Sequence, residues 1–398
     1  MEKKNQFINQ KTLVFGIVHF LYWAIFCLMV AFASAFLLDK GLTNSVIGLI
    51  LGISYLLSAL TQPVVGSFFS SHSIPRSKGI AVIYIPVAVF AFLIRFLPLP
   101  PLVVGVLMVF MITVQSMMQP SINALYQSME TDDERINFGL ARGMGSVSYA
   151  LSSFIAGQLL AVFAPSILPL MYMVAVVLLV LLLMTIKTRE PQTVGSGKAA
   201  SNMSYKEMLI NYPHLRFFVP GMICLFLTYS FIDSFLIQIL MSIGGNSTDL
   251  GTAITASAIL ELPAMVLYTW LCAKKLGLKI YQVSMWIWLA KDILTAFATS
   301  PVQLFLIQMM GCACCAIYVP GMMFYMSRSL PPALLLRGAT LAGTATTLGS
   351  LIATLVGGWL MDHAGVHNAL MIVQIPAIAG TLLMNTAIMK VRKSQRDG

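Results

Sequence analysis

Residues 138–158 have the length and composition of a membrane-spanning helix, yet they carry Arg142 about one turn from their start. An arginine at the centre of a spanning helix costs roughly 2.5–3.5 kcal/mol, so such residues usually face a bundle interior or a water-filled path and mark function. Tyr149 follows nearly two turns later and projects from nearly the same face. The paired N–H donors of an arginine beside an aromatic side chain are suited to binding a solute with a hydroxylated ring. The alternative is a structural role, in which Arg142 binds a carbonyl or carboxylate of another helix.

Four further ionisable residues lie in apolar segments of the second half of the chain, namely Asp233, Glu261, Lys291 and Asp292. Two or three of them must pair or be neutral, because a buried carboxylate without a partner tends to take up a proton. Such a switchable carboxylate is what proton coupling requires. We predict that Asp233 pairs with Lys291 and that Glu261 faces Arg142.

Uncharged amides recur every four residues in an earlier segment, at Gln115, Gln119, Asn123 and Gln127. This spacing places them on one face of a helix, where contact with lipid is unfavourable. They either bond to neighbouring helices or line a polar path. The path is favoured, with Gln119 and Asn123 as substrate contacts.

Aromatic residues mark one face of the first apolar segment, where His19, Tyr22, Trp23 and Phe26 follow helical spacing. Core packing is the simpler explanation for such a stripe. The alternative is that Trp23 and His19 contact the substrate, since an indole can stack on a sugar and an imidazole can donate or accept a hydrogen bond.

Composition shows what kind of protein must position these residues. Hydrophobic residues make up 58% of the chain and charged residues 10%, and the mean hydropathy is +0.87. These values indicate an all-α polytopic membrane protein. A span needs about 20 apolar residues, and the sequence predicts twelve spans. They lie near 13–38, 44–70, 79–98, 101–127, 138–163, 166–186, 213–242, 248–273, 279–298, 302–327, 335–361 and 367–389.

The positive charges predict the orientation. Of the 24 Lys and Arg residues, only Lys40 and Arg95 fall at the predicted outer ends, while Arg142 and Lys291 lie within spans. The others are cytoplasmic if both termini are inside, as the positive-inside rule requires. The same asymmetry and the anionic lipid of the inner leaflet explain the net charge of +10. We therefore expect membrane lipids, and no nucleic acid, as partners of a functional monomer in the plasma (cell inner) membrane.

Enzymatic and metal sites are not expected. All six cysteines lie in predicted spans, where they act as small apolar residues rather than as a disulfide framework. The cluster at Cys312, Cys314 and Cys315 has no His or carboxylate nearby in sequence, so packing is favoured over a metal site. The chain also lacks the HExxH and GxSxG motifs of hydrolases. No cofactor is predicted, apart from a proton as coupling ion.

The chain divides into two similar halves. We predict an N-terminal six-helix bundle over 1–190, a flexible cytoplasmic linker over 191–211 that is rich in Gly, Ser and Ala, and a C-terminal six-helix bundle over 212–398. Helix five ends in SSFIAGQLL and helix eleven in TLVGGWLMD, while TQPVVG in helix two corresponds to LELPAM in helix eight. Parallel repeats of this kind predict two bundles with a binding site between them at mid-membrane.

Several of these motifs resemble the lactose-permease-like oligosaccharide:proton symporters of the major facilitator superfamily. NFGLARGMGSVSYA is similar to that family's helix-five signature, so the resemblance implies that Arg142 contacts sugar hydroxyls and that Tyr149, in place of the usual Trp, stacks on the sugar. Glu261 in LELP matches the sugar-binding glutamate of helix eight. Asp233 matches a helix-seven aspartate, and Lys291 stands where the family has an arginine.

Other positions depart from the family pattern. Asn123 replaces the glutamate that normally pairs with the helix-five arginine. Ser230 and Ser350 replace an Asp–Lys pair, as if both charges had been removed together. In helix ten, the family's Lys, His and proton-carrying Glu are replaced at three positions, namely Gln308, Gly311 and Cys314. Neither the family's proton route nor its galactoside specificity therefore carries over.

The sequence thus predicts the twelve-helix major facilitator fold and a secondary active transporter that is not an enzyme. The expected substrate is a small polar solute, a sugar or oligosaccharide, moved by alternating access with proton symport. Two alternatives remain open within transport: efflux of drugs or metabolites, and uptake of nucleosides or aromatic acids.

Overall fold

The protein is helical throughout the part of the chain that the computed structural model describes. Those residues are 9–71, 74–131, 135–188, 203–273 and 276–397, and they contain no β-strand. The predicted all-α class is confirmed. The predicted linker residues 191–202 lie outside the described residues.

Sixteen α-helices, numbered in chain order, follow one another within these ranges. They are α1 (Gln10–Phe26), α2 (Ala33–Asp39), α3 (Asn44–Ser71), α4 (Arg76–Phe96), α5 (Pro101–Met117), α6 (Gln119–Met129), α7 (Phe138–Phe163), α8 (Leu168–Thr185), α9 (Tyr205–Asn211), α10 (Leu215–Ser234), α11 (Leu236–Ser242), α12 (Ser247–Ala273), α13 (Gly277–Ala296), α14 (Pro301–Met309), α15 (Gly311–Ser329) and α16 (Leu335–Asp397). A π-helical turn, Cys27–Ala31, follows α1.

The helices agree with twelve membrane crossings. Among the described residues, eight helical segments are long and apolar enough to span a membrane, or nine if the bent pair α5 and α6 forms one span. One of the eight contains α16, which breaks at Gly365 with φ 79° and is long enough for two crossings. Counting α16 twice and adding α12 and α13, which carry Glu261, Lys291 and Asp292, gives the twelve predicted spans.

The described residues form two compact units. One contains 9–42 and 53–188, and the other contains 43–52 and 203–397. This grouping differs from the predicted division at 43–52, the start of α3. Gly48 explains the difference, because a methyl group there would overlap the carbonyl oxygen of Thr354 on α16 and lie 3.3 Å from Cα of Gly358. The start of α3 therefore packs backbone to backbone on α16, which only small residues permit.

In the first unit, capping fixes where α1 and α7 begin. The Asn9 side chain accepts a hydrogen bond from the backbone N–H of Thr12, and the Asn137 side chain accepts one from that of Leu140. The Thr12 hydroxyl accepts a hydrogen bond from the backbone N–H of Asn137 at 3.0 Å. The two helix starts are thereby joined, which fixes the alignment of residues along the α1–α7 contact.

In the second unit, α10 and α16 pack together at several glycines. A methyl group at Gly349 would overlap α10 at the carbonyl of Ile223, and one at Gly380 would lie 2.9 Å from Cβ of Cys224. The core beside this contact is apolar and includes Phe218, Tyr281 and other fully buried rings. A rigid, closely packed unit of this kind can hold ionisable side chains in fixed positions.

Helix α9 corrects the predicted extent of the flexible linker. Tyr205–Asn211 is helical, and Ser204 and Glu207 form a capping box in which each side chain accepts a hydrogen bond from the backbone N–H of the other residue. Met208 on this helix is fully buried in the core of the second unit. Docking of one apolar side chain therefore orders the end of the segment, which its polar composition did not indicate.

Asp362 stabilises the start of α3 within the second unit. Its carboxylate accepts hydrogen bonds from the backbone N–H groups of Asn44 (3.2 Å) and Ser45 (2.7 Å) and from both of their side chains. These groups include orphan donors of the first helical turn, where a negative charge is also favourable.

Replacing Asp362 with Ala is expected to lower the free energy of unfolding by about 1–2 kcal/mol, the usual effect of deleting a helix cap. The measurement is the thermal midpoint of the purified protein in detergent. Asp39→Ala, which removes an exposed carboxylate at the end of α2, is the matched control and should leave the midpoint nearly unchanged. Equal midpoints for Asp362→Ala and the wild type would show that the cap contributes nothing.

Candidate functional site

Arg142 lies on the face of α7 that packs against α1. Its guanidinium carbon stands 4.3 Å from the centre of the Trp23 ring, a cation–π distance. The side chain is half-buried, so part of it is open to a ligand while the indole supports it. The indole thus holds the guanidinium group in place.

Trp23 is itself held by α7. Tyr149 meets it edge to face at 6.2 Å between ring centres, and Phe26 lies 5.2 Å away. The indole packs directly against Gly145, where a larger residue would not fit: a methyl group there would overlap Cδ1 of Trp23 and lie 3.0 Å from its Nε1. Arg142, Gly145 and Tyr149 therefore contact one ring from successive turns of one helix. We call Trp23 and these three residues the Trp23 cluster.

His19 is fully buried one turn before Trp23. It packs edge to face on Phe15 at 4.7 Å and on Phe138 at 6.1 Å, and neither ring nitrogen has a hydrogen-bond partner. The structure thus places His19 among aromatic rings and close enough to Arg142 for the two side chains to interact electrostatically. Its assignment as a substrate contact stays a prediction.

The amide stripe is interrupted in the structure. Gln115 is fully buried, accepts a hydrogen bond from the Tyr84 hydroxyl at 2.8 Å and donates one to the carbonyl of Tyr22 at 2.9 Å. This corrects the interpretation of Gln115 as part of a polar path, because it joins three helices within the first unit. The helix then bends by 40° between α5 and α6. Gln119 and Asn123, beyond the bend, are half-buried and remain candidate substrate contacts.

The second unit brings the predicted charge pair together. Lys291 on α13 is 5% exposed and interacts electrostatically with Asp233 on α10, whose side chain is exposed. Lys291 also interacts electrostatically with Asp292, which is fully buried. Lys291 therefore interacts with two carboxylates, of which Asp233 keeps accessible surface and Asp292 has none.

Glu261 lies on α12 and is half-buried. It interacts electrostatically with Cys312 on α15, which places it near the start of that helix. Gly311 in the same turn would bring a methyl group 2.6 Å from the hydroxyl of Ser257 and 3.9 Å from Cε of Lys291. The turn is therefore closely packed against both α12 and α13. The predicted pairing of Glu261 with Arg142 stays a prediction.

Two positions at which the chain departs from the resembled family form a contact of their own. The Ser230 and Ser350 hydroxyls are hydrogen-bonded at 2.6 Å. The residues that the resemblance pairs therefore do lie side by side, with a neutral contact in place of a charged one. In α15, the Cys314 thiol donates to the carbonyl of Met310 at 3.3 Å, as a buried packing residue does.

An aromatic group in the second unit was not predicted. Trp288 meets Tyr229 edge to face at 5.5 Å and Phe226 at 5.8 Å, and Tyr318 lies 4.9 Å from Phe226. The indole nitrogen of Trp288 is buried without a hydrogen-bond partner. These residues come from α10, α13 and α15, so no local spacing could reveal them. In the sequence, Trp288 precedes Lys291 and Asp292 by about one helical turn, and this spacing is the feature that could have indicated the aromatic group.

Comparisons with known proteins agree with this architecture. A family model described as the MFS_1 like family matches residues 13–372. A crystal structure of the nucleoside transporter NupG is 12% identical, covers 97% of this chain and 100% of its own, and has a TM-score of 0.79. The D-xylose-proton symporter is 13% identical over 94% of this chain and 96% of its own, with a TM-score of 0.67.

A third solved structure, a bacterial homologue of the human lysosomal transporter Spinster in an inward-facing and unoccupied conformation, is 11% identical. It covers 96% of this chain and 97% of its own, with a TM-score of 0.70. Identities this low show a shared fold and no more. No curated protein sequence matches the chain. The predicted major facilitator fold is confirmed.

Proposed function

The chain belongs to the MFS_1 like family of major facilitator transporters, and on that premise we propose that it moves a sugar or oligosaccharide across the plasma membrane by alternating access, coupled to proton symport. It is a multi-pass membrane protein and a transporter of a small solute. The solute class, the coupling ion and the placement of both termini in the cytoplasm are parts of the proposal.

The Trp23 cluster is the observation that carries the proposal. A half-buried guanidinium group supported on an indole presents a fork of donors that matches vicinal hydroxyl or carboxylate oxygens. Tyr149 offers a ring within the same cluster, and aromatic rings stack on the apolar faces of sugars. A charge kept inside a span at several kcal/mol needs a compensating function, and binding of a polar solute supplies one.

Nucleosides are a second candidate substrate class. They combine vicinal ribose hydroxyls with an aromatic base, and the second unit contains Phe226, Tyr229, Trp288 and Tyr318 in mutual contact. Phe226, Tyr229 and Tyr318 are half-buried, so their rings keep surface on which a base can pack. A solved nucleoside transporter also shares the fold.

A thermal-shift screen separates these substrate classes. The purified protein is titrated with sugars, nucleosides and aromatic acids at two pH values, because a ligand that binds only the folded state raises the thermal midpoint. The proposal expects a sugar to raise the midpoint and to be accumulated by liposomes that contain the protein. Uptake of nucleosides alone would select the second candidate. Efflux of dyes with no saturable uptake of any polar solute would contradict both.

Proton coupling predicts a phenotype for the carboxylates. Glu261→Gln is expected to weaken solute binding because it removes a charge, and Asp233→Asn is expected to uncouple or block accumulation because Lys291 loses a carboxylate partner. The measurement is pH-gradient-driven uptake into liposomes at equal protein content, with Asp39→Asn as control. Coupled uptake that remains intact in the Asp233→Asn, Glu261→Gln double variant would remove both residues from the coupling mechanism.

A further inference from the structure

Asp292 is an unusual carboxylate. Its side chain is fully buried on α13, and neither carboxylate oxygen has a hydrogen-bond partner. Buried polar atoms are almost always hydrogen-bonded, and buried charges are normally paired. Asp292 therefore needs an explanation that the fold alone does not provide.

The surroundings of Asp292 are apolar. Tyr281, Met285 and Trp288 share its face of α13 and belong to the core of the second unit. Transferring an ionised carboxylate into such surroundings carries a large desolvation cost unless a partner compensates for it. The neutral acid avoids most of that cost.

Few ionisable groups lie on the helices packed against α13, which are α10, α12, α14, α15 and α16. Toward the end of α13 that carries Asp292 they are Asp233 and Tyr229 on α10, Glu261 on α12, and Cys312, Cys314 and Tyr318 on α15, while α14 contributes none. Between its ends, α16 carries only Asp362, His363 and His367, all near its break at Gly365.

The electrostatic interactions leave one negative charge in excess. Lys291 interacts with both Asp233 and Asp292, so a single cation faces two carboxylates. Asp233 keeps accessible surface, whereas Asp292 has none, so ionised Asp292 bears the larger desolvation cost. The excess negative charge is removed at the lowest free-energy cost if a proton binds to the buried carboxylate, Asp292.

We infer that Asp292 is a proton-binding site of this transporter: its buried carboxyl group is protonated while Asp233 and Lys291 remain charged. The inference refines the proton coupling proposed above and rests on it for its role in transport. A proton adds to one carboxylate oxygen of Asp292 to form an O–H bond, and no other bond breaks. Release of this proton requires a state in which Asp292 meets water or Lys291 turns from Asp233 to Asp292.

Infrared spectroscopy of the purified full chain in detergent tests the site without any solute. A protonated carboxylic acid has a C=O stretching band that is separate from the bands of a carboxylate. As the pH is raised from acidic to alkaline values, the wild type is expected to lose such a band, and Asp292→Asn is expected to lack it throughout the titration. Asp39→Asn, which changes an exposed carboxylate, is the control and should retain it.

Asp233→Asn shows which carboxylate carries the proton. In that variant Lys291 has one carboxylate partner instead of two, so Asp292 should lose its proton at a pH lower by at least about one unit. The band is then still present at low pH, but it disappears at a lower pH than in the wild type. A band absent from Asp233→Asn at every pH would place the proton on Asp233 and overturn the inference, as would an unchanged band in Asp292→Asn.

Transport assays separate this inference from the proposed function. Asn resembles the protonated acid, so Asp292→Asn in liposomes is expected to retain solute exchange at equal pH on both sides and to lose at least tenfold in pH-driven accumulation. Loss of the infrared band in Asp292→Asn, together with a wild type that shows no pH-driven uptake of any solute, would leave the proton site intact and refute proton symport. Unchanged pH-driven accumulation by Asp292→Asn would exclude this site from coupling.

Discussion

Replacing Arg142 with alanine is expected to abolish solute accumulation while the protein remains folded in the membrane. Each hydrogen bond from a charged donor contributes about 1.5–3 kcal/mol, so loss of the fork should lower affinity by about 10- to 100-fold for each bond lost. Arg142→Lys should behave nearly as poorly, because an ammonium group keeps the charge but cannot present two parallel donors or stack flat on Trp23. Binding and uptake are measured on purified protein in liposomes at equal protein content.

Arg95→Ala is the matched control for Arg142→Ala. Arg95 also carries its guanidinium group against a ring, 5.4 Å from the centre of Phe96, but it is exposed in the last turn of α4. Loss of an exposed cation–π contact costs about 0.5–1 kcal/mol, so uptake should be unchanged. Normal transport by Arg142→Ala would show that Arg142 is a structural residue. A lower thermal midpoint with normal affinity would point to the same conclusion.

The helices were predictable from the sequence because membrane spans follow from one local property, a run of apolar residues of sufficient length. The runs at 138–163 and 44–70 agree with α7 and α3 to within one residue. Arg142 and Tyr149 were also predictable as residues of one helix face, since seven residues are nearly two helical turns. The pairing of Lys291 with Asp233 was predicted from the cost of an unpaired charge, and the two side chains interact electrostatically.

Contacts between helices were less predictable, because no spacing within one segment encodes them. Gln115 looks like its neighbours in the stripe, but Tyr84 and Tyr22 from other helices determine that it is a core residue. The order of α9 depends on burial of Met208, although Ser204 and Glu207 have the spacing of a capping box in the sequence. The support of Arg142 by Trp23 likewise depends on which faces of α1 and α7 meet.

Gly145→Ala is expected to impair transport although it changes neither charge nor polarity. The added methyl group would overlap Cδ1 of Trp23 and lie 3.1 Å from Cγ. An indole is rigid, so the whole ring must move, and Arg142 loses its support. Overpacking of this kind costs about 1–3 kcal/mol. We expect solute affinity to fall at least tenfold, measured by binding to the purified protein and by uptake into liposomes.

Gly143→Ala on the same helix is a close control, because nothing lies within 4 Å of a methyl group at that position. Both substitutions gain the same helix propensity, about 1 kcal/mol, so the difference between them reports the contact with Trp23. A double-mutant cycle tests the cause. If Gly145→Ala acts by displacing the indole, its effect should largely vanish in a Trp23→Phe background, where the smaller ring leaves room. Equal losses of solute affinity in both backgrounds would mean that Gly145 acts on Arg142 by another route. The indole would then no longer explain how the guanidinium group is positioned for a solute inside the membrane.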